Sequence, residues 1–525
     1  MPLWVYGAGR LPGYAPPGQI RRKELMLTSK RFDADVVVCG GGPAGFASAL
    51  AAARDGKRVI LLEMRESLGG LYTNGYITGM AGYVDGYAKE FIDRMDKAGH
   101  AMVRPHLPTI DPEAGKVMME QMLLQAGCRI LYGAHVCDCE VKDEKITSVI
   151  VFCKSGKIEI TGRMFIDCTG DADVAFAAGV PTEVSGADYL GLSQSVTMGF
   201  RLAYVDTEKY AAAQREFAKN KPAGAGLGLL MAKQDEAIAN GDLPEILSPG
   251  NLIYPVPNDS DPTCKDVTLD ATHSFDCHND DIVDLTRQIV DQHRKVYLFV
   301  NFMKKYLPGF EKAQLVSMAN MNGLRDSRRI IGEYILKDID VAGGIKFDDG
   351  ITLFPEVLDT HVPTPGKHCA VRHVHYKEPY GNAVCRPAQD QNDFMMHPFV
   401  PLEGYELRTN PRDYCEIPYR SLVAWGIKNL LVAGRCYSAE FHALGATRVI
   451  ATSMSMGQAA GHAATMCIDK QIDAKELDGR ELRARLVAEG AHLNAPPMGY
   501  WETVRNQEGE FVVNAADTIS IRKTT

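Results

Sequence analysis

The sequence predicts an α/β fold with a parallel sheet, and three stretches predict it. Asp33 to Gly45 reads DADVVVCGGGPAG; its apolar run Val36 to Cys39 suits a strand buried on both faces, and the glycines suit a tight turn after it. Arg58 to Glu63 (RVILLE) is a second such strand, ended by an acid. Asn429 to Gly434 (NLLVAG) is a late third, followed by MSMGQAAGHAATM, a helix of small residues. Between Gly127 and Thr161, short alternating runs broken by Lys-Asp-Glu and Lys-Ser-Gly predict an antiparallel meander.

Gly40, Gly42 and Gly45 form G-x-G-x-x-G at the mouth of the Ala-rich helix GFASALAAARDG, which stops at Gly56. The first glycine allows the turn, the second lets a pyrophosphate reach the backbone, and the third lets the helix pack closely on the sheet. The helix N-terminus stabilises phosphate. Glu63, about 20 residues on, stands where ribose hydroxyls need an acceptor. Strand, glycines, helix, strand and acid in this order make a Rossmann-like dinucleotide site. The alternative is a glycine-rich turn in an unrelated α/β domain. After Glu63, the glycines of MRESLGGLYTNG let the loop run beside a second, bulkier ring system.

Composition bounds the partners. The 525 residues are 46% hydrophobic and 23% charged, enough for several domains with a large core. A net charge of −9 without a basic block argues against nucleic acid. Thirteen cysteines at irregular spacings fit a reducing, cytoplasmic setting better than a disulfide framework. No run of about 18 apolar residues occurs, so stable membrane insertion is not expected. Residues 1–32, rich in Gly and Pro, read as a mobile extension, and Met26 as an alternative start.

The stretches VVVCGGGPAG with Glu63, the LGG loop, IDCTGDADVA, LRDSRRIIGEY, DTHVP, IPYRSLVAWGIKNLLVAGRCYSAEFHALGATR and MGQAAGHAA resemble FAD-dependent oxidoreductases of the glutathione-reductase-like superfamily, near the fumarate-reductase flavoprotein branch. The resemblance spans roughly residues 33–185 and 320–465. It implies a Rossmann-like FAD-binding domain, parallel sheet plus meander, in two parts (33–185 and 413–468). An α+β substrate domain (186–345), a lid region (346–412) and C-terminal helices and tail (469–525) complete the chain. It also implies FAD contacts from Gly40, Gly42, Pro43, Ala44, Gly45, Glu63, Met64, Gly70, Leu71, Asp171, Gly434, Arg435, Gly457 and Ala460. The flavin ring would reach the late strand-to-helix junction, where the helix N-terminus stabilises charge on the reduced ring.

At that junction, His442 to Arg448 resembles the His-Gly-Ala-Asn-Arg stretch with which fumarate-reductase flavoproteins hold a substrate carboxylate. Arg448 would clamp an anion, or serve a structural salt bridge. His442 would orient substrate or move a proton, or be a hydrogen-bonded core histidine. Asp359 and His361, two apart on a strand, share a face, so His361 is a candidate acid–base oriented by Asp359, or half of a polar pair supporting the loop. Cys436 reads as a buried small residue, with a covalent flavin anchor or redox thiol as alternatives. Arg325, Arg328 and Arg329 look helical and would serve substrate or phosphates, or a solvated face.

The His373/His375 pair and Cys264…His273…Cys277-His278 lack zinc spacing, so no metal is expected. The glycines after Lys221 read as a connector, not a second nucleotide fingerprint. No haem or iron–sulfur pattern occurs. The expected partners are a small-molecule substrate and a separate electron donor or acceptor, a quinone or redox protein; self-association is left open. The reading is hydride transfer between flavin N5 and a small polar, carboxylated metabolite, as ene reduction or the reverse dehydrogenation. Its rivals are a flavin oxidase or monooxygenase using O2, an RNA-modifying flavoprotein, and a non-catalytic FAD-binding subunit.

Overall fold

The computed structural model describes residues 31–103, 107–184, 191–220, 228–243, 252–257, 266–354, 359–361, 363, 371–373 and 414–493. The N-terminal extension up to residue 30, the glycine connector 221–227, Cys264, most of the lid region with His368, Cys369, His375 and Tyr376, and the tail after 493 lie outside the described residues. The elements that carry the site are, in chain order, strand β1 (Val36–Cys39), helix α1 (Pro43–Arg54) and strands β2 (Val59–Glu63), β3 (Arg129–Tyr132), β4 (Met164–Asp167), β5 (Val196–Ala203) and β6 (Val267–Ser274). Helix α2 (Ile282–Tyr306), strands β7 (Asp359–His361) and β8 (Leu430–Val432), and helices α3 (Phe441–Thr447) and α4 (Ile450–Lys470) follow.

Five parallel strands form the central sheet in the order β8-β4-β1-β2-β3. Every residue of β1, β2, β4 and β8 is buried, as their apolar runs require, the acids Glu63 and Asp167 closing β2 and β4. The late strand β8 pairs with β4, so residues some 260 positions apart close one sheet, with Ile166 opposite Leu431. The expected meander is present: His135–Lys142, Lys145–Cys153 and Gly156–Thr161 run antiparallel, and the short strand Arg31–Asp33 adds in parallel.

Helices α1 and α4 pack against each other on one face of the sheet, and their small residues explain how closely. A Cβ on Gly457 would stand 2.1 Å from the carbonyl oxygen of Ala44, and one on Gly461 would stand 2.4 Å from that of Ser48. The Ser48 hydroxyl donates to the Gly457 carbonyl at 3.0 Å. Pro43 opens α1 where no intrahelical donor is needed.

The second unit is an antiparallel sheet in the order Leu252–Pro255, β6, β5, Gln314–Met318. Helix α2 covers it, capped by Asp281, whose carboxylate accepts from the amides of Val283 and Asp284. Phe200, Leu202, Val296, Phe299 and Met303 are in its core. One expectation is corrected here. LRDSRRIIGEY is not helical: Arg328–Ile330 is a strand, antiparallel to Thr182–Val184. Ile330 and Ile331 favour extended backbone, and pairing with residues 182–184 overrides the helical spacing of the arginines.

Candidate FAD groove and adjoining active site

A groove crosses the carboxyl ends of β1, β2, β4 and β8 and is lined by the loops that leave them. At one end the turn after β1 is held to β2. The amide of Gly41 donates to Glu63 Oε2 at 2.7 Å and that of Arg65 to Oε1 at 2.8 Å. Burial pushes the Glu63 carboxyl above its ordinary range, and these amides work against that shift. Gly40 has φ +100°, and a Cβ there would meet the Cys168 carbonyl oxygen at 2.3 Å. A Cβ on Gly42 would meet only Gly70 Cα, at 4.0 Å, so the backbone faces open groove.

The loop after β4 is braced from within. Asp167, fully buried, accepts from the amide and hydroxyl of Thr169 through Oδ1 and from the amide of Ala175 through Oδ2. Asp171 then binds Arg435, whose Nη2 donates to Oδ1 at 2.6 Å, and also accepts from the Ser327 hydroxyl. Arg328 donates to the Asp171 carbonyl at 2.9 Å and to Asp173 at 2.6 Å. Burial beside Asp167 and Asp171 pushes Asp173 up to about 6.

At the other end, Arg325, Arg435, Arg448, Ile450 and Ser453 line the wall, so the first turn of α4 opens onto the groove. Behind this wall lies a cluster of buried polar side chains. Gln194 joins two parts of it: its amide donates to Asp326 Oδ1 at 2.8 Å, and its Oε1 accepts from the amide of His361 at 3.1 Å. The ring of His361 stacks on that of His273, with centroids 5.7 Å apart. His273 Nδ1 pairs with the Ser195 hydroxyl at 3.0 Å, and burial with Arg325 and Lys295 nearby holds this imidazole well below its ordinary pKa. Thr360, between Asp359 and His361 on β7, meets His442 Nδ1 at 2.9 Å.

The predicted residues separate into two groups. Gly40, Gly42, Pro43, Ala44, Glu63, Met64, Gly70, Leu71, Gly434, Arg435 and Arg448 line the groove. Gly45, Asp171, Gly457 and Ala460 do not, and act through packing or pairing; a Cβ on Gly45 would stand 1.8 Å from the Gly40 carbonyl oxygen. His442 and His361 are brought onto neighbouring elements behind the wall, with His442 only 5% exposed. Cys436 is fully buried, and burial raises its thiol pKa far above the ordinary value. Gln194, Ser195, His273 and Asp326 were not singled out for the site. Gln194, Ser195 and His273 come from a region without a recognisable motif, where His273 drew notice only within a metal pattern, and Asp326 lies inside LRDSRRIIGEY, whose arginines drew the attention instead.

The groove fits a bound dinucleotide. Its glycine cradle is open where a side chain would block it, and Arg435, half-buried on its wall, keeps an Nε without an acceptor among the described residues. Among those residues no group of three His, Cys, Asp or Glu side chains is placed to hold a metal ion, and no helix is long and apolar enough to cross a membrane.

Fold and groove together define a dinucleotide-binding flavoprotein of the Rossmann-like α/β class, with FAD as its cofactor. The chain belongs to the FAD dependent oxidoreductase family, whose model matches residues 35–486, and it is an enzyme. Thiamine thiazole synthase of Methanococcus vannielii is 30% identical over 182 residues, covering 30% of this chain and 68% of that protein. The same enzyme of Archaeoglobus fulgidus is 28% identical over 166 residues, covering 29% and 63%. A geranylgeranyl bacteriochlorophyll reductase-like protein of Thermoplasma acidophilum superposes with TM-score 0.43 at 11% identity, over 93% of this chain and all of that one. The flavin-dependent brominase Bmp2 gives TM-score 0.42 at 10% identity, over 87% of this chain and 83% of that one.

Proposed function

We propose that the protein exchanges hydride between FAD and a small polar metabolite carrying a carboxylate. The observation that carries this reading is the end of the groove at α4, where Arg325, Arg435 and Arg448 share the wall, with Thr360-paired His442 and Gln194-bound His361 on the elements behind it. When bound, FAD supplies the hydride chemistry at N5. The protein's part is to hold and orient the substrate and to handle the proton.

Arg448, on the wall where α4 begins, clamps the carboxylate; a guanidinium matches it in two bonds. His442 is oriented by the Thr360 hydroxyl, and His361 by the hydrogen bond its backbone amide donates to Gln194 Oε1 and by its stack on neutral His273. One of these histidines gives or takes the substrate proton. Electrons reach or leave the flavin through a second small molecule, a quinone or a separate redox protein.

The test is anaerobic. The photoreduced protein is mixed with α,β-unsaturated acids one at a time while the oxidised flavin band is followed. Rapid reoxidation by one of them supports ene reduction. If none reacts, and no carboxylated donor reduces the oxidised protein either, the reading fails.

A further inference from the structure

Asp326 is fully buried, and its side chain is only half engaged. Oδ1 accepts from the Gln194 amide, whereas Oδ2 has no hydrogen-bond partner among the described residues. The residue is fixed in place, because its carbonyl accepts from Asn279 Nδ2 at 2.8 Å. Asp326 follows Leu324 and Arg325, both of the groove wall. Among the described residues, three guanidiniums act on its carboxyl: Arg329 on the following strand, Arg448 before α4 and Arg435 after β8.

Arg435 also pairs with Asp171 at 2.6 Å and Arg329 with Glu183 at 3.5 Å. Arg435 and Arg448 also present themselves to the groove. Asp326 therefore serves, from behind the wall, as an internal counter-ion to cations that a ligand meets from in front. An anion arriving in front makes that counter-ion redundant. A buried carboxylate that loses its compensating positive field is expensive to keep charged and takes up a proton instead.

We infer that binding of a carboxylate at the α4 end of the groove is coupled to uptake of one proton by Asp326, on Oδ2. Asp326 is here a positioning residue: it offsets the charge of the arginines and does not touch the ligand. Its starting point suits the role, since burial pushes the carboxyl up to about 6 against the lowering pull of the three arginines. Withdrawing part of that pull moves it through neutrality. By linkage, the same coupling tightens carboxylate binding as the pH falls from 8 towards 6. The inference rests on the carboxylate reading proposed above and adds the proton that accompanies the anion.

The experiment uses the FAD-loaded protein and malonate as probe, titrated calorimetrically at pH 7 in two buffers of different ionisation enthalpy. The expected result is close to one proton taken up per malonate, together with a dissociation constant that weakens by roughly ten- to thirty-fold from pH 6.5 to 8. In Asp326→Asn, which keeps an oxygen for the Gln194 amide, malonate binds with little proton uptake and a flat pH dependence. Equal uptake in Asp326→Asn, or malonate bound by the native protein without uptake, overturns the coupling and leaves the carboxylate site standing. No malonate binding in either protein overturns the carboxylate reading and the coupling with it. Circular dichroism and flavin content of the variant establish that it has folded. The pH dependence in the native protein decides the matter should it not.

Discussion

Gly457 lies directly against the carbonyl oxygen of Ala44, so closely that a Cβ would stand 2.1 Å away. The contact joins the first turn of α1, beside the phosphate cradle, to a helix more than 400 residues later. Replacing Gly457 by Ala ordinarily favours a helix by about 1 kcal/mol, but here α1 must move. Gly457→Ala is expected to destabilise the protein by about 1–3 kcal/mol and to lower its FAD content, as overpacking does. Urea unfolding and the flavin-to-protein absorbance ratio measure both. Unchanged stability would show that the two helices can part at little cost.

Glu63 holds the amides of Gly41 and Arg65 with separate oxygens. In Glu63→Gln one of these amides faces an NH2 group instead of an oxygen. FAD affinity should fall about 10- to 100-fold, the equivalent of roughly 1.5–3 kcal/mol for a charged hydrogen bond. Flavin release on dilution, followed by fluorescence, gives the constant.

Arg448 is the residue to separate substrate binding from cofactor binding. Arg448→Ala should raise the KM for the carboxylated substrate at least tenfold while leaving most of the flavin bound. Equal loss of substrate affinity and of FAD would mark the arginine as structural.

A second cluster governs stability against pH. His462, 1% exposed, lies 3.0 Å from Asp55 and 2.7 Å from Glu489, and Arg485 pairs with both carboxylates. Burial works to lower the His462 pKa, but bonds to Asp55 and Glu489 outweigh it and hold the imidazole above its ordinary value. The stabilisation from a raised histidine pKa is complete below the unfolded value, near 6.5, and is lost as pH rises through the folded value. Asp55 and Glu489 are shifted down, so their share is present above roughly pH 4.5 and lost below it. Thermal unfolding should therefore be best between about pH 4.5 and 6.5 and decline above. His462→Gln should flatten the upper limb and lower stability by about 1–3 kcal/mol at pH 6.

How much of this was legible in the chain follows from how far each signal reaches. Gly40, Gly42, Gly45 and Glu63 could be read because strand, turn, helix and acid are consecutive, and each residue type answers a local steric or hydrogen-bonding demand. The small-residue pattern of α4 was legible too, as a helix made to pack closely, although it could not name Ala44 and Ser48 as what it packs on. LRDSRRIIGEY misled, because local spacing promised a helix where pairing with residues 182–184 imposes a strand.

By itself, then, the sequence determined the parallel sheet, the cradle for FAD and the identity of the polar groups near α4, since these are set by residue type and short-range order. Tertiary structure alone decided that Gln194 ties Asp326 to the backbone of His361, that Thr360 orients His442, and that Asp326 sits behind Arg435 and Arg448. The partners in those contacts lie up to 167 positions apart in the chain. Neither periodicity nor a motif spans that distance; only the closure of two sheets onto one groove brings them within reach of a hydrogen bond.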